Sequence, residues 1–174
     1  VKNLQATLTY CFENSIDLFD PVGTGNTIDG QWSRLETVNG KNFADRSISD
    51  FDLGHRVSAM LAKKINYGKW STQITLVYNG QSGSPFSYVY TGSMINDAGN
   101  PPSAYADLIY IPTKNDLNNM TFISNSFNST PPQQQKDALN DFIETDKYLK
   151  KHRGEFAERN GARLPFHQTI DLRL

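Results

Sequence analysis

Val57-Ser58-Ala59-Met60-Leu61-Ala62-Lys63-Lys64-Ile65-Asn66-Tyr67-Gly68-Lys69-Trp70-Ser71-Thr72-Gln73-Ile74-Thr75-Leu76-Val77-Tyr78 is the stretch whose reading decides the fold. Around its first half the odd positions Phe51, Leu53, Val57, Ala59, Leu61 and Ile65 are apolar, opposed by Asp52, Arg56, Ser58 and Lys64. A period of two is the mark of a strand with one greasy face, here spanning about 49–67. Lys63 interrupts that face near one end, where its aliphatic stem can carry the ammonium to a membrane interface. Asn66-Tyr67-Gly68-Lys69 supplies a tight turn, and Trp70, Thr72, Ile74, Leu76 and Tyr78 then alternate with Ser71, Gln73, Thr75, Val77 and Asn79. The two runs predict a hairpin whose second strand resumes at Phe86-Ser87-Tyr88-Val89-Tyr90 and covers about 70–90. Tyr67 and Trp70 flank the turn, as an interfacial aromatic belt or as a cross-strand pair in any hairpin.

Working outward, Leu4, Ala6, Leu8, Tyr10 and Phe12 alternate with Gln5, Thr7, Thr9 and Cys11, predicting a first strand over about 4–17. It gives out near Asp20-Pro21-Val22-Gly23, and an aperiodic polar stretch, about 18–48, reads as a long loop. At the other end Leu164, Phe166, Ile170, Leu172 and Leu174 alternate with Arg163, His167, Thr169, Asp171 and Arg173, a fourth strand over about 164–174. Between them, about 91–163 reads as a second long loop, and loops of that length are rarely passive. It holds the apolar run Leu108-Ile109-Tyr110-Ile111-Pro112 and one helix, about 131–152. Thr130 as N-cap, proline at the first helical position and Gln133 mark its start, Ala138, Leu139, Phe142, Ile143 and Leu149 its apolar stripe, and Gly154 its stop.

Composition agrees with strands that face two media. Only 37% of residues are hydrophobic and the mean hydropathy is -0.55, yet aromatics reach 11%. Membrane barrels produce this pairing because half of each strand faces water while aromatics mark the interfaces, and soluble all-β binding proteins can share it. No run of apolar residues is long enough for a transmembrane helix, which leaves membrane strands open. A net charge of -1 offers no field to gather nucleic acid. The single cysteine, Cys11, excludes an internal disulfide framework and a Cys-based zinc site.

Loop lengths add a direction. One tight turn between two long loops is the asymmetry of outer-membrane barrels, with short periplasmic turns and long extracellular loops. Strand one would then rise to the cell exterior, strand two descend, strand three rise and strand four descend. Four strands cannot close a barrel, and open edges in hydrocarbon would leave backbone groups unpaired at several kcal/mol each. The alternation already runs at Val1 and still runs at Leu174, the pattern expected of a segment of a longer polypeptide. The expected fold class is therefore all-β, a four-stranded fragment of a large transmembrane antiparallel barrel with a long extracellular loop carrying an α-helix.

Several ordered runs carry a family resemblance. They are Ser49-Asp50-Phe51-Asp52-Leu53-Gly54-His55-Arg56-Val57, then Tyr78-Asn79-Gly80-Gln81-Ser82-Gly83-Ser84-Pro85-Phe86-Ser87-Tyr88-Val89-Tyr90 and Asp107-Leu108-Ile109-Tyr110-Ile111-Pro112. Further on come Phe142-Ile143 through Asp146-Lys147-Tyr148-Leu149, Arg153-Gly154, Glu158-Arg159-Asn160-Gly161 and Leu164-Pro165-Phe166. In this order and spacing the chain resembles the C-terminal barrel portion of TonB-dependent receptors of Bacteroidetes type, the Oar-like group bearing a carboxypeptidase regulatory domain. The resemblance implies an importer in the outer membrane: a barrel of about twenty-two strands, filled by a plug domain that is absent from these residues and is pulled by TonB–ExbB–ExbD. Its implied partners are outer-membrane lipid, the rest of the barrel and plug, and a surface lipoprotein. Where the family carries a calcium-loop-like stretch, Asn96-Asp97-Ala98-Gly99-Asn100-Pro101-Pro102 has one carboxylate, too few for a calcium site.

Chemistry is sparse. His55, His152 and His167 are scattered, with no metal-ligand spacing and no nucleophile with an orienting carboxylate, so neither enzyme, metal nor cofactor is expected. Asp141, Glu144, Asp146, Lys147, Lys150 and Lys151 read as a solvated helix face with local ion pairs. Gly80, Gly83 and Gly92 read as bends at a barrel rim, since no Lys-Ser/Thr follows them. The loop over about 91–163 is the candidate for substrate capture, with Arg153, Arg159, Tyr105 and Tyr110 as candidate contacts, although Arg153, Arg159 and Arg163 fit loop anchoring better. The leading expectation is import of an unidentified nutrient. The alternatives are an outer-membrane barrel serving as component or client of a secretion or assembly complex, and a soluble β-rich binding module.

Overall fold

The computed structural model describes residues 3–18, 35–92, 94–95, 107–125 and 128–174. The described chain is mostly β, with antiparallel pairing in its main sheet, and no helix is long and apolar enough to cross a membrane. It divides into two compact units, one of Val1–Asp17, Ile48–Phe86 and Arg163–Leu174, the other of Leu18–Ser47 and Ser87–Ala162.

The first unit is built on a four-stranded antiparallel meander of β1 (Leu4–Phe12), β2 (His55–Tyr67), β3 (Trp70–Gln81) and β4 (His167–Arg173), neighbouring in that order. The β2–β3 hairpin pairs Tyr67 with Trp70 across the two-residue loop Gly68-Lys69. Gly68 has φ +67°, the left-handed value that a type II′ turn needs at its first central position and that glycine adopts freely. β3 ends at Gln81, short of the expected 90, because Ser82-Gly83-Ser84 leaves the ladder. A Cβ on Gly83 would lie 2.1 Å from the Leu164 carbonyl oxygen, so only glycine permits that backbone approach. The outer expected strands are likewise trimmed to Leu4–Phe12 and His167–Arg173.

The second unit is centred on the apolar run 108–111. Tyr90 and Ile109 donate backbone N–H to the Asp107 and Tyr88 carbonyls at 2.9 and 3.1 Å, while Ile111 and Ala157 donate to those of Glu155 and Ile109 at 2.8 Å each. Laced on both sides, this run buries Leu108 and Ile111 with Ile143, Leu149 and Ala157. Among the described residues the helices of this unit are α1 (Lys114–Asn119), α2 (Pro132–Thr145) and α3 (Lys147–Lys151), and α2 and α3 contribute Ile143 and Leu149 to that cluster.

The single helix expected over 131–152 is thus broken. Asp146 is extended (ψ 127°) and its Oδ1 accepts from the Tyr148 and Leu149 N–H groups at 2.9 and 2.8 Å, starting a new helix by capping it. Pro131, not Thr130, is the N-cap of α2 and makes no side-chain cap bond. The chain leaves α3 at His152, and Gly154 (φ +87°) turns it back, its N–H donating to the Ile111 carbonyl at 2.7 Å. The Asp20-Pro21-Val22-Gly23 and Asn96–Pro102 stretches lie outside the described residues.

Candidate functional surface

The register brings the alternating residues of all four strands onto common faces. Ala6, Leu61, Leu76 and Leu172 form one cross-strand row, and Leu8, Ala59, Tyr78 and Ile170 the next. Leu4, Lys63 and Ile74 lie towards the turn, and Tyr10, Val57 and Gly80 towards the other end. Leu8 (75% exposed), Leu61 (46%), Ile170 (67%) and Leu172 (65%) all remain accessible. The opposite face carries Thr9, Ser58, Asn79 and Thr169 in one row and Cys11, Arg56, Gln81 and His167 in another. Ser58 Oγ donates to Asn79 Oδ1 across that face at 3.0 Å. One face is thus apolar over four strands apart from Lys63, and the opposite face is polar except for Met60, Ala62 and Val77 at its middle.

Aromatics stand at both ends of the apolar face. Trp70 (76% exposed) and Tyr67 mark the turn end. At the far end the His55 ring lies 4.9 Å from that of Phe12, and its Nδ1 lies 2.8 Å from the Tyr10 hydroxyl. Gly80 lies under an aromatic lid, since a Cβ there would sit 2.5 Å from the Tyr78 hydroxyl and 2.8 Å from Phe166 Cζ. The Phe166 ring fills the place of the missing side chain.

A buried ion pair ties the far ends of the strands together. The Asp52 side chain is 1% exposed; its Oδ2 accepts from Ser15 N–H at 2.6 Å, and its Oδ1 from Gly54 N–H at 2.9 Å and from the Arg163 guanidinium. Arg163 Nη1 also donates to the Asp52 and Gly83 carbonyls at 3.3 Å each. The ion pair therefore links the segments that follow β1, precede β2, follow β3 and precede β4, the carboxylate reaching Ser15 and Gly54 and the guanidinium reaching Gly83. Burial alone would raise the Asp52 carboxyl, but the Ser15 N–H, the guanidinium and the Gly54 N–H together hold it below its ordinary value of 3.8. Gly54, at φ +59°, lies against Ser82, whose Oγ accepts from His55 N–H at 3.0 Å.

In the second unit the candidate contacts are committed to internal bonds. Arg153 is 14% exposed at its side chain and donates to the Pro112 carbonyl (2.8 Å), Asn140 Oδ1 (2.9 Å) and Glu144 (3.1 Å), an anchor for the loop. Arg159 is 5% exposed. Tyr110 packs edge-on against Phe156 at 5.4 Å and donates its hydroxyl to Asp116 Oδ2 at 2.9 Å, which raises its ionisation above the ordinary range. Tyr105 lies outside the described residues. Asp116 completes the capping box of α1 with Thr113, whose hydroxyl bond is the main reason its carboxyl is depressed. α1 lies inside the stretch expected as loop, and Thr113-x-x-Asp116 is the local signal that marks it.

Glu144 gathers Lys150 (3.1 Å), Arg153 and Lys114 (3.6 Å), and the hydrogen bond from Lys150 lowers its carboxyl. Asp146, expected on the solvated face, instead caps α3 and accepts from Tyr88 at 2.8 Å. Burial first, and that bond second, push the Tyr88 phenol up to about 12. Of the histidines, His152 stacks on Tyr148 at 4.4 Å and meets Glu155 at 2.9 Å, while His55 and His167 belong to the sheet.

Comparisons with protein-family models, with curated proteins and with solved structures found no match.

Proposed function

We propose that the four-stranded sheet is a stretch of wall in an outer-membrane β-barrel of the TonB-dependent receptor type, and that the protein imports a nutrient across that membrane. The observation that carries this reading is the apolar face left exposed over all four strands, backed by a mainly polar one. A water-soluble module would close Leu8, Leu61, Ile74 and Ile170 into an interior. Here Leu8 and Ile170 are among the most exposed apolar side chains of the described chain.

The height of the face fits a bilayer. From Trp70 to Gly80 the strand rises about 33 Å at about 3.3 Å per residue, or about 25 Å once tilted by about 40°, the height of the lipid-facing band of outer-membrane barrels. Aromatic residues bound it at both ends. The free edges of β1 and β4 would pair with further strands of the barrel, since hydrocarbon leaves an open edge nothing to bond. The polar face then lines a wet lumen, and the segments 18–47 and 87–162 form extracellular structure with its own small core. Energy for import would come from TonB–ExbB–ExbD acting on a plug domain, as the sequence resemblance implies.

Two labels test the faces in the intact protein reconstituted in bilayers. Brominated phospholipid should quench the fluorescence component that Trp70→Phe removes, while Cys11, on the polar face, should react with water-soluble maleimide. Absence of quenching with Trp70 folded, as judged by its near-ultraviolet dichroism, would overturn the membrane reading. The import reading is tested by nutrient uptake in cells with and without TonB; uptake through this protein that persists without TonB would refute it.

A further inference from the structure

Charge is segregated along the strands of the sheet. From Leu53 to Phe86 the sequence contains no Asp or Glu, but it contains Arg56, Lys63, Lys64 and Lys69. Glu13, Asp17, Asp50 and Asp52 belong to segments beyond the far ends of β1 and β2, and Asp171 within β4 is the remaining carboxylate of the unit. The turn end is therefore basic. Its cations stand on both sides: Lys69 in the turn itself, Lys63 on the apolar face opposite Leu4 and Ile74, and Lys64 and Arg173 on the polar face.

On the apolar face this charge coincides with a particular set of neighbours. Tyr67 and Trp70 pair across the turn, and Lys69 is the residue beside Trp70. Tyr67 and Trp70 are 54% and 76% exposed. Lys63 lies on the same face, four residues from Tyr67, about 13 Å along the strand at about 3.3 Å per residue. Its methylene stem can cover the apolar surface while its ammonium reaches towards the turn. Amphipathic rings at headgroup depth with ammonium groups beside them make a receptor for phosphate diesters fixed in a membrane plane.

We propose that the turn end of the β2–β3 hairpin is a phospholipid-headgroup surface that selects anionic lipid, with Lys63 and Lys69 holding headgroup phosphates and Tyr67 and Trp70 seating at the interface. The inference rests on the membrane reading above and deepens it by naming the lipid chemistry at one end of the wall. It also orients the wall, because the leaflet met by the hairpin is the one supplying these phosphates.

Trp70 is a built-in reporter for the test. The intact protein is reconstituted in bilayers that mix phosphatidylglycerol and phosphatidylcholine, with one lipid or the other brominated in separate samples at matched mole fractions. The component of fluorescence that Trp70→Phe removes should be quenched preferentially by brominated phosphatidylglycerol. Each of Lys63→Gln and Lys69→Gln should reduce that preference about fivefold, from the ~1 kcal/mol that one cation gains at an anionic surface. Lys63→Arg and Lys69→Arg should retain it, and raising ionic strength should weaken it. Equal quenching by the two lipids, or a preference unchanged in both glutamine variants, overturns the headgroup proposal while the membrane reading stands. Failure of both lipids to quench refutes the membrane reading itself and the proposal with it.

Discussion

Replacing Asp52 by alanine removes the one acceptor shared by Ser15 N–H, Gly54 N–H and the Arg163 guanidinium. The Asp52 side chain is 1% exposed and that of Arg163 30%, so the pair is buried at one end and partly watered at the other. Breaking a buried pair from one side costs about 3–5 kcal/mol. Partial hydration of Arg163 places this case near the lower bound, about 3 kcal/mol or roughly a hundredfold in the unfolding equilibrium. Asp52→Asn keeps an acceptor for one amide and should cost less. The assay is urea unfolding of the intact protein in vesicles, with Asp52→Ala, Arg163→Met and the double variant forming a cycle whose coupling should be about 2 kcal/mol.

The same carboxylate makes a pH prediction. Its folded-state pKa is depressed below 3.8, so its contribution is complete above the unfolded value and disappears as pH falls through the lower, folded one. Acid unfolding of the wild type should therefore contain a component below about pH 4 that Asp52→Asn lacks. Single variants that cost less than about 0.5 kcal/mol, or whose costs simply add, would refute the idea that this pair ties the strand ends.

Leu61→Arg, at the middle of the apolar face, should destabilise the membrane-inserted protein by about 2–4 kcal/mol, whereas Met60→Arg, on the polar face, should be tolerated; unfolding in vesicles compares them. Leu149→Ala, at a site with 0% exposure, should cost about 2–5 kcal/mol and open the second unit to limited proteolysis. Tyr88 should ionise near 12 in an ultraviolet titration. Because that value is raised in the folded state, its contribution is complete below pH 10 and lost as pH climbs through about 12, and Tyr88→Phe should remove the step.

The sheet was legible because its alternation is nearly continuous: Leu4–Phe12, Val57–Tyr67 and Trp70–Tyr78 keep their period apart from Lys63 on one face and Met60, Ala62 and Val77 on the other, and the observed register gathers Leu8, Leu61, Leu76 and Ile170 on one side. The strand ends were less legible, since Gly83 and Asp52 act through partners far along the chain, Leu164 and Arg163, that no local pattern announces. The break between α2 and α3 was hidden for a different reason. Asp146 suits both a solvated helix face and a cap, and its bonds to Tyr88 and the next turn decide between them. Of the candidate contacts, Arg153 and Tyr110 could be recognised by type, but a sequence does not reveal that Asn140, Glu144 and Asp116 already occupy their donors.

The pocket over Gly80 has a bearing on how β4 finds its place. Hydrogen-bond ladders repeat every two residues and alone would accept β4 slid by one such step along β3. Phe166, just ahead of β4, needs a partner without a side chain, and Gly80 offers one. A slide towards the turn would carry the ring over Tyr78, whose side chain is in the way. Shape complementarity at a single glycine thus favours the observed alignment of β4 over neighbouring ones that the backbone alone could not distinguish.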